Sequence, residues 1–389
     1  MDNVSVDLSN KRLKVGILFY FSSQWMGGII YIINLVKTLN FLDDKQKPEI
    51  YLFYKADLKK FLNEFDYPYI NKIEWQFPPF LSGTIRSLIT RKNVFVESLL
   101  KQYELDAIFP IHDFPVRTRT KTKLISWYAD LQHKHYPEFF SKRQIAGRNL
   151  RIKFILKNCD YMVLSSNDVL SDFKKFFVIG TTPLVHIYHF VSVIDNHNDI
   201  DGRLIREKYN LPEKYFLISN QFHKHKNHRV VLLAIANLKK TGKKLHIACT
   251  GKLPSASFSP YMEEIHHIIR ENEIQDQVTM LGVISRSDQI QIMRHSQAVI
   301  QPSLFEGWST VIEDAKSLQV PVIASDLKVN IEQLGDEGRY FSPHNPDELA
   351  SILASYPARN LEDMFYMPYE KRVKEGAETL LRIFMDKRQ

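Results

Sequence analysis

The stretch Pro302–Asp326, PSLFEGWSTVIEDAKSLQVPVIASD, carries the densest chemical signal in the chain. It sets two acids, Glu306 and Asp314, eight residues apart. Glu306 precedes Gly307, which marks a tight turn. Ser309-Thr310 offers a cap for a helix that begins there, or a backbone N–H for a phosphate. Val320–Ala324 closes the run as a short apolar strand. A loop acid, a helix-borne acid and a buried strand in this order are the parts of an α/β ligand site. Each carboxylate accepts two hydrogen bonds from vicinal hydroxyls, so both acids suit a sugar or a ribose. The alternative is that they are N-terminal helix acids that complement the dipole.

The same strand-then-helix order runs through the rest of the chain. Lys14–Phe21 predicts a buried parallel strand; a loop, Gly27-Gly28 and a helix follow it. Further strands are expected over Ile50–Tyr54, Asp106–Pro110, Leu124–Tyr128 and Tyr161–Ser165. The second half repeats the plan, with strands over Tyr215–Ser219, Leu245–Thr250, Val278–Leu281, Ala298–Gln301 and Val320–Ala324. Helices are expected over Arg229–Lys240 and Tyr261–Glu271. A last helix, Tyr369–Met385, places Val373, Ala377, Leu380, Leu381 and Phe384 on one side. At 389 residues the chain exceeds one ordinary core. Two Rossmann-like α/β domains are expected, with the divide between Thr182 and Asn210. Such sheets bind ligands beyond the carboxyl ends of their strands, and two of them face to face would enclose a cleft.

Composition excludes several classes. The apolar fraction is 44%, yet no run is long enough to span a bilayer. The N-terminus, MDNVSVDLSNKRLK, has no apolar leader pattern, so a cytoplasmic location is expected. Cys159 and Cys249 abut apolar strands in different halves and read as buried free thiols. A net charge of +8 suits an anionic partner. Nucleic acid is not the expected one, because basic and aromatic residues form no recognisable module. No G-x-G-x-x-G follows the first strand, which argues against a dinucleotide site. No ligand set for zinc and no Asp-x-Asp after a strand is found, so no metal is expected.

Two glycine and basic loops are anion candidates. Gly27-Gly28 opens a helix whose first N–H groups lack intrahelical partners. Asn220–His228, NQFHKHKNH, packs His223, Lys224, His225, Lys226 and His228 between a strand and a helix. Such crowding of like charge is relieved by a bound pyrophosphate, with Lys226 pointing at it. A solvated basic loop is the alternative. Ser141–Lys157, SKRQIAGRNLRIKFILK, holds six Lys and Arg and no acid. It admits two readings: a surface resting on anionic lipid, or a basic helix whose apolar side packs on the sheet.

Glu306, seven residues, Asp314, then Ala315 and Val320-Pro321-Val322-Ile323, resembles the C-terminal signature of the retaining GT-B glycosyltransferases of family 4. Their pattern is Glu, seven residues, Glu, followed by A-x-x-x-G-x-P-V-I. Asp314 stands for the second Glu, and Gln319 for the usual Gly. Glu313 is the rival partner; register favours Asp314. Gly27-Gly28 resembles the family's glycine loop, and Leu281-Gly282-Val283-Ile284 its base-binding loop. The resemblance implies a GT-B fold, with the closing helix returning to the N-domain. It implies domains of 1–195 for the acceptor and 196–368 for the nucleotide-sugar, with 369–389 as the returning helix.

The resemblance also implies roles. Glu306 would contact the donor sugar and Asp314 the ribose. Lys226 matches the family's pyrophosphate Lys, while Gln221 occupies its Arg position, with His225 or Lys224 as a substitute cation. Gly307, Trp308, Ser309, Thr310 and Ile284 would line the donor. Many members carry a His after an N-domain strand; here Ala129-Asp130 follows the strand, and ADLQHKHYPEFF resembles a variant D-x-Q-H stretch of some relatives. His133 with Asp130 is the implied cleft pair and His112-Asp113 the rival. The implied reaction moves a hexosyl group from a UDP-, GDP- or dTDP-linked donor to a glycan or lipid-linked hydroxyl in bacterial surface polysaccharide or lipopolysaccharide synthesis, without a cofactor. Peripheral contact with the anionic inner face of the membrane accompanies that expectation. The alternatives are a non-catalytic nucleotide-sugar-binding protein and an epimerase-like GT-B enzyme.

Overall fold

A computed structural model describes residues 11–23, 25–180, 183–195, 200–253 and 260–386. Part of the expected divide between 182 and 210, and most of the N-terminal segment, lie outside these residues. The chain forms two compact units, Met1–Val191 with Val373–Gln389, and Ser192–Arg372.

The first unit is built on a seven-stranded sheet. Its strands are β1 (Lys14–Phe19), β2 (Glu49–Tyr54), β3 (Ile70–Glu74), β4 (Ala107–Ile111), β5 (Lys123–Tyr128), β6 (Tyr161–Leu164) and β7 (Leu184–Ile187). The order is β3-β2-β1-β4-β5-β6-β7, and all neighbours run parallel. The second unit carries β8 (Phe216–Ser219), β9 (Ile247–Thr250), β10 (Val278–Gly282), β11 (Val299–Gln301), β12 (Val322–Ser325) and β13 (Arg339–Phe341). Its order is β10-β9-β8-β11-β12-β13, again parallel throughout. Parallel sheets need both faces covered. Central strands such as β4, β6, β8 and β9 are accordingly buried at every position.

Strand order reverses between β1 and β4 in one unit and between β8 and β11 in the other. Beyond the carboxyl ends of such neighbours the two following loops diverge to opposite faces and leave a crevice. The β8/β11 reversal puts Asn220–Asn227 beside Pro302–Ser309.

The closing helix, Tyr369–Met385, completes the first unit's core. Val373, Ala377, Leu380, Leu381 and Phe384 are all buried, as the apolar spacing predicts. Phe384 meets Phe109 of β4, with ring centroids 6.1 Å apart. Lys123 on β5 donates to the carbonyl of Phe384 at 2.9 Å, which satisfies one of the helix's terminal acceptors. Both cysteines are buried and free. Burial pushes the Cys249 thiol up to about 12, which makes it inert.

The basic helix, Lys142–Asn158, starts with a capping box, Ser141 to Gln144. Ile152, Ile155 and Leu156 are buried in the first unit's core. Its apolar side therefore packs inward, as the second reading of that stretch expects.

Candidate active site

The crevice at the β8/β11 reversal is polar, buried and tightly tied. Gln301 ends the apolar core of β11, and Asn220 follows Ser219 at the end of β8. Asn220 Nδ2 donates to Gln301 Oε1 at 2.9 Å, and Gln301 Nε2 donates to Glu306 Oε1 at 2.7 Å. Lys226 Nζ donates to the same carboxylate oxygen at 2.5 Å. The loops also meet through the backbone, where the Leu304 N–H donates to the His225 carbonyl at 2.7 Å. Asn227 adopts a left-handed φ of 53°. Its amide donates to the carbonyls of Pro302 and Pro343, fixing the end of the histidine loop. Gly251, after β9, is forced: a Cβ there would lie 2.2 Å from the Asn220 carbonyl oxygen.

Electrostatics follow from this enclosure. Burial pushes the Glu306 carboxyl up, but the Lys226 charge and hydrogen bond, with help from Ser303 and His225, outweigh it. The group is held below its ordinary range and stays ionised. His225 is driven down to about 4, chiefly by burial and then by Lys226. It is a neutral imidazole at neutral pH, stacked 5.7 Å from the His223 ring. His223 in turn bonds Gln221 Oε1 at 2.9 Å. His228 is buried against Phe222 at 4.2 Å and driven to about 3 by burial. Of the expected positive loop, Lys226 and Lys224 carry the charge and the three histidines do not.

Glu306 and Lys226 are thus joined directly, whereas Asp314 is held elsewhere in the same unit. Asp314 sits on the helix Thr310–Ser317, whose N-cap is Ser309 accepting from the Ile312 N–H. Arg286 grips it with two hydrogen bonds, at 2.7 and 2.6 Å, and Ser192 donates to it as well. Glu313 points to another set, Arg372 and Gln333 Nε2. Two adjacent helix acids lie about 100° apart, so each has its own partners. Ile284 packs against the core beside the loop after β10. Trp308 is half-buried and Gly307 buried.

In the first unit, Gly27 and Gly28 open the helix Met26–Thr38. A Cβ on Gly28 would meet the Trp25 ring at 2.5 Å, so close packing explains that glycine without a ligand. His133 is only 1% exposed, and its Nε2 lies 3.1 Å from Asn149 Oδ1. Asp130 accepts from the Gln132 N–H at 2.9 Å. The rival, His112, stands at the carboxyl end of β4, beside the β1/β4 reversal. The Phe21 and Trp127 rings lie 5.3 and 6.0 Å from it, and burial drives it to about 3. Asp113 beside it accepts from Arg151 Nε at 2.8 Å.

Sequence reasoning missed Asn220, Gln301, Arg286, Gln333 and Arg372. The first two carried a signal, a polar residue at or just past the end of an apolar strand. The other three act across long sequence separations and left none. Among the described residues, no group of three His, Cys, Asp or Glu is placed to hold a metal ion. No helix among them is long and apolar enough to cross a membrane.

Two parallel sheets of this order are those of the GT-B fold. Residues 202–366 match the family model described as glycosyl transferases group 1. The chain is 24% identical over 237 residues to the O-antigen chain mannosyltransferase RfbU of Salmonella typhimurium, covering 60% of each protein. It is 22% identical to the alpha-monoglucosyldiacylglycerol synthase of Streptococcus pneumoniae, over 94% of this chain and 85% of that one. The first of these alignments therefore spans under two thirds of the relative's length. The crystal structure of Anabaena Alr3699/HepE in complex with UDP-glucose superposes with a TM-score of 0.61, at 16% identity, over 96% of this chain and 94% of that one.

Proposed function

We propose that the protein transfers a hexosyl group from a nucleoside-diphosphate sugar to a hydroxyl of a glycan or lipid-linked acceptor, with retention at the anomeric carbon. The observation that carries this reading is the Lys226–Glu306 pair in the β8/β11 crevice. Lys226 is the free end of a buried network and is only partly exposed. Its ammonium is placed to share its charge between Glu306 and an incoming diphosphate.

The C1–O bond to the diphosphate breaks and the C1–O bond to the acceptor forms on the same face. The acceptor proton passes to the leaving phosphate oxygen. Lys226 neutralises charge as it develops there. Glu306, kept ionised and aimed by Gln301, accepts from the sugar hydroxyls and orients the ring. Gln221, His225, Gly307, Trp308, Ser309, Thr310 and Ile284 complete the proposed donor contacts, and Asp314 holds the ribose. For Asp314 this requires that Arg286 release or share its carboxylate.

The first unit serves the acceptor in this reading, with Gly27, Gly28 and a histidine as its proposed residues. His133 is 1% exposed and tied to Asn149, whereas His112 keeps some exposure at the carboxyl end of β4, which favours His112 as that histidine over His133 and Asp130. Support for a glycan or lipid acceptor comes from two relatives, an O-antigen chain mannosyltransferase and an alpha-monoglucosyldiacylglycerol synthase; bacterial surface polysaccharide synthesis at an anionic membrane face belongs to the proposal. Support for a UDP-linked donor comes from the UDP-glucose bound to Alr3699/HepE.

The test is transfer from radiolabelled UDP-, GDP- and dTDP-hexoses to bacterial lipid extracts. One donor is expected to label the lipid, and excess EDTA is expected to leave the rate unchanged. Binding of a donor without transfer or hydrolysis would favour a non-catalytic binding protein instead. A rate abolished by EDTA and restored by Mn²⁺ would overturn the metal-free mechanism.

A further inference from the structure

The helix Phe80–Thr90, in the first unit, is amphipathic the wrong way round. Its buried positions are Gly83, Thr84 and Ser87. Its large apolar residues face solvent: Leu81 is 66% exposed, Ile85 51%, Leu88 50% and Ile89 77%. Spacings of four, three and one put these four on a single stripe. The orientation is fixed rather than accidental. A Cβ on Gly83 would lie 2.5 Å from the Phe95 ring, so only glycine permits this approach. Ser87 Oγ donates to the Gly83 carbonyl at 2.7 Å and accepts from the Val94 N–H at 3.1 Å. Rotating the stripe inward would break all three contacts.

The charge around the stripe is mainly positive, with Lys92 paired to Glu97 at 3.5 Å. No Asp or Glu occurs from Trp75 to Val96, and Arg86, Arg91 and Lys92 are exposed there. The Arg151 guanidinium lies 4.0 Å over the Phe80 ring, which brings the acid-free basic helix Lys142–Asn158 alongside. That helix exposes Lys142, Arg143, Lys153 and Lys157. An apolar stripe rimmed chiefly by cations, Arg86 and Arg91 foremost, matches a bilayer with anionic headgroups, which accepts the aliphatic side chains and neutralises the rim. A second copy of this chain is a poor occupant, because a two-fold contact would set Arg86, Arg91 and Lys92 against their own copies.

We propose that the helix Phe80–Thr90 is a membrane-docking element, inserting Leu81, Ile85, Leu88 and Ile89 into an anionic leaflet. The inference extends the lipid-linked acceptor reading and names the surface that would bring the enzyme to it.

The test is flotation of the full-length protein with vesicles of phosphatidylglycerol and phosphatidylcholine, or of phosphatidylcholine alone. Wild type is expected to float with the anionic vesicles only, and less at high salt. The variant L81S/I85S/L88S/I89S is expected to bind at least about tenfold more weakly. Its circular dichroism and its affinity for the nucleotide-sugar donor should match wild type, since these side chains face solvent. R86Q/R91Q/K92Q should lose the preference for anionic lipid. Wild type that stays with neither vesicle, or a quadruple variant that floats like wild type, overturns the inference while leaving the donor reading intact. So does a wild-type dimer in solution that the quadruple variant dissolves.

Discussion

At the residue scale, Gln319 shows how a departure from a motif is accommodated. The position after Leu318 adopts a left-handed φ of 55°, which glycine takes without cost. Gln319 compensates through its side chain: Oε1 accepts from the N–H groups of Phe365 and Tyr366 at 3.0 and 2.9 Å. Backbone strain here is about 1 kcal/mol, and two neutral hydrogen bonds offset it with about 1 kcal/mol each. Gln319→Ala keeps the strain and loses both bonds, so it is expected to cost about 2 kcal/mol. Gln319→Gly loses the bonds but relieves the strain, and should cost about half as much. Urea unfolding of the two variants checks the order; a Gly variant less stable than the Ala one contradicts it. Glu306→Gln keeps shape but removes the charge that partners Lys226. Its transfer rate is expected to fall by about 100-fold or more, measured with saturating donor.

At the scale of elements, the loop after β8 and the helix Thr310–Ser317 make different demands. The loop holds His225 near 4, and His228 near 3, both below the ordinary 6.5. A histidine depressed in the fold is protonated first in the unfolded chain. Its stabilisation is therefore complete above about pH 6.5 and is lost as pH falls towards the folded value. Between neutral pH and about pH 5, a fully buried histidine is expected to remove up to about 2 kcal/mol of stability. Replacing His228 by Phe, which retains the stack on Phe222, should flatten that loss in denaturant melts; an unchanged slope would contradict it. The helix depends on a buried ion pair, Glu313 with Arg372, and Arg372 also donates to Ser317. Arg372→Ala leaves the Glu313 charge unpaired and is expected to cost about 3–5 kcal/mol. Calorimetry of that variant, beside the less disruptive Glu313→Gln, checks this.

How much of each element was legible follows from how its side chains are used. Central strands are buried on both faces and appear as apolar runs, so β1, β2, β4, β5, β6, β8, β9, β11 and β12 fall within the expected segments to within a residue or two. Of the four edge strands, β10 was expected over Val278–Leu281, whereas β3, β7 and β13 are short or carry exposed positions, and none of these three was expected. The helix Phe80–Thr90 was illegible for a different reason: its apolar face points outward, so its pattern does not describe the core. In the crevice, Glu306 and Lys226 are nameable from local motif. Their meeting at one carboxylate oxygen is not, because eighty residues separate them and only strand order brings the loops together.

At the scale of the whole molecule, the first unit is discontinuous in sequence. Residues 373–386 supply Val373, Leu380, Leu381, Ile383 and Phe384 to its core. Each buried aliphatic or aromatic side chain is worth about 1.5–3 kcal/mol, which together rivals the roughly 5–15 kcal/mol of a typical domain. A chain ending at Arg372 is therefore expected to leave the first unit unfolded while Ser192–Arg372 keeps its sheet. Limited proteolysis would show whether it does.

The account turns on one convergence, that of Lys226 and Glu306 on a donor diphosphate sugar. Titrating the full-length chain with UDP-, GDP- and dTDP-hexoses, beside Lys226→Ala, tests it directly. One donor should bind wild type and bind the variant about 10- to 100-fold more weakly, as the loss of a charged hydrogen bond requires. Equal affinity in the two proteins, or binding of none of the donors, would contradict it.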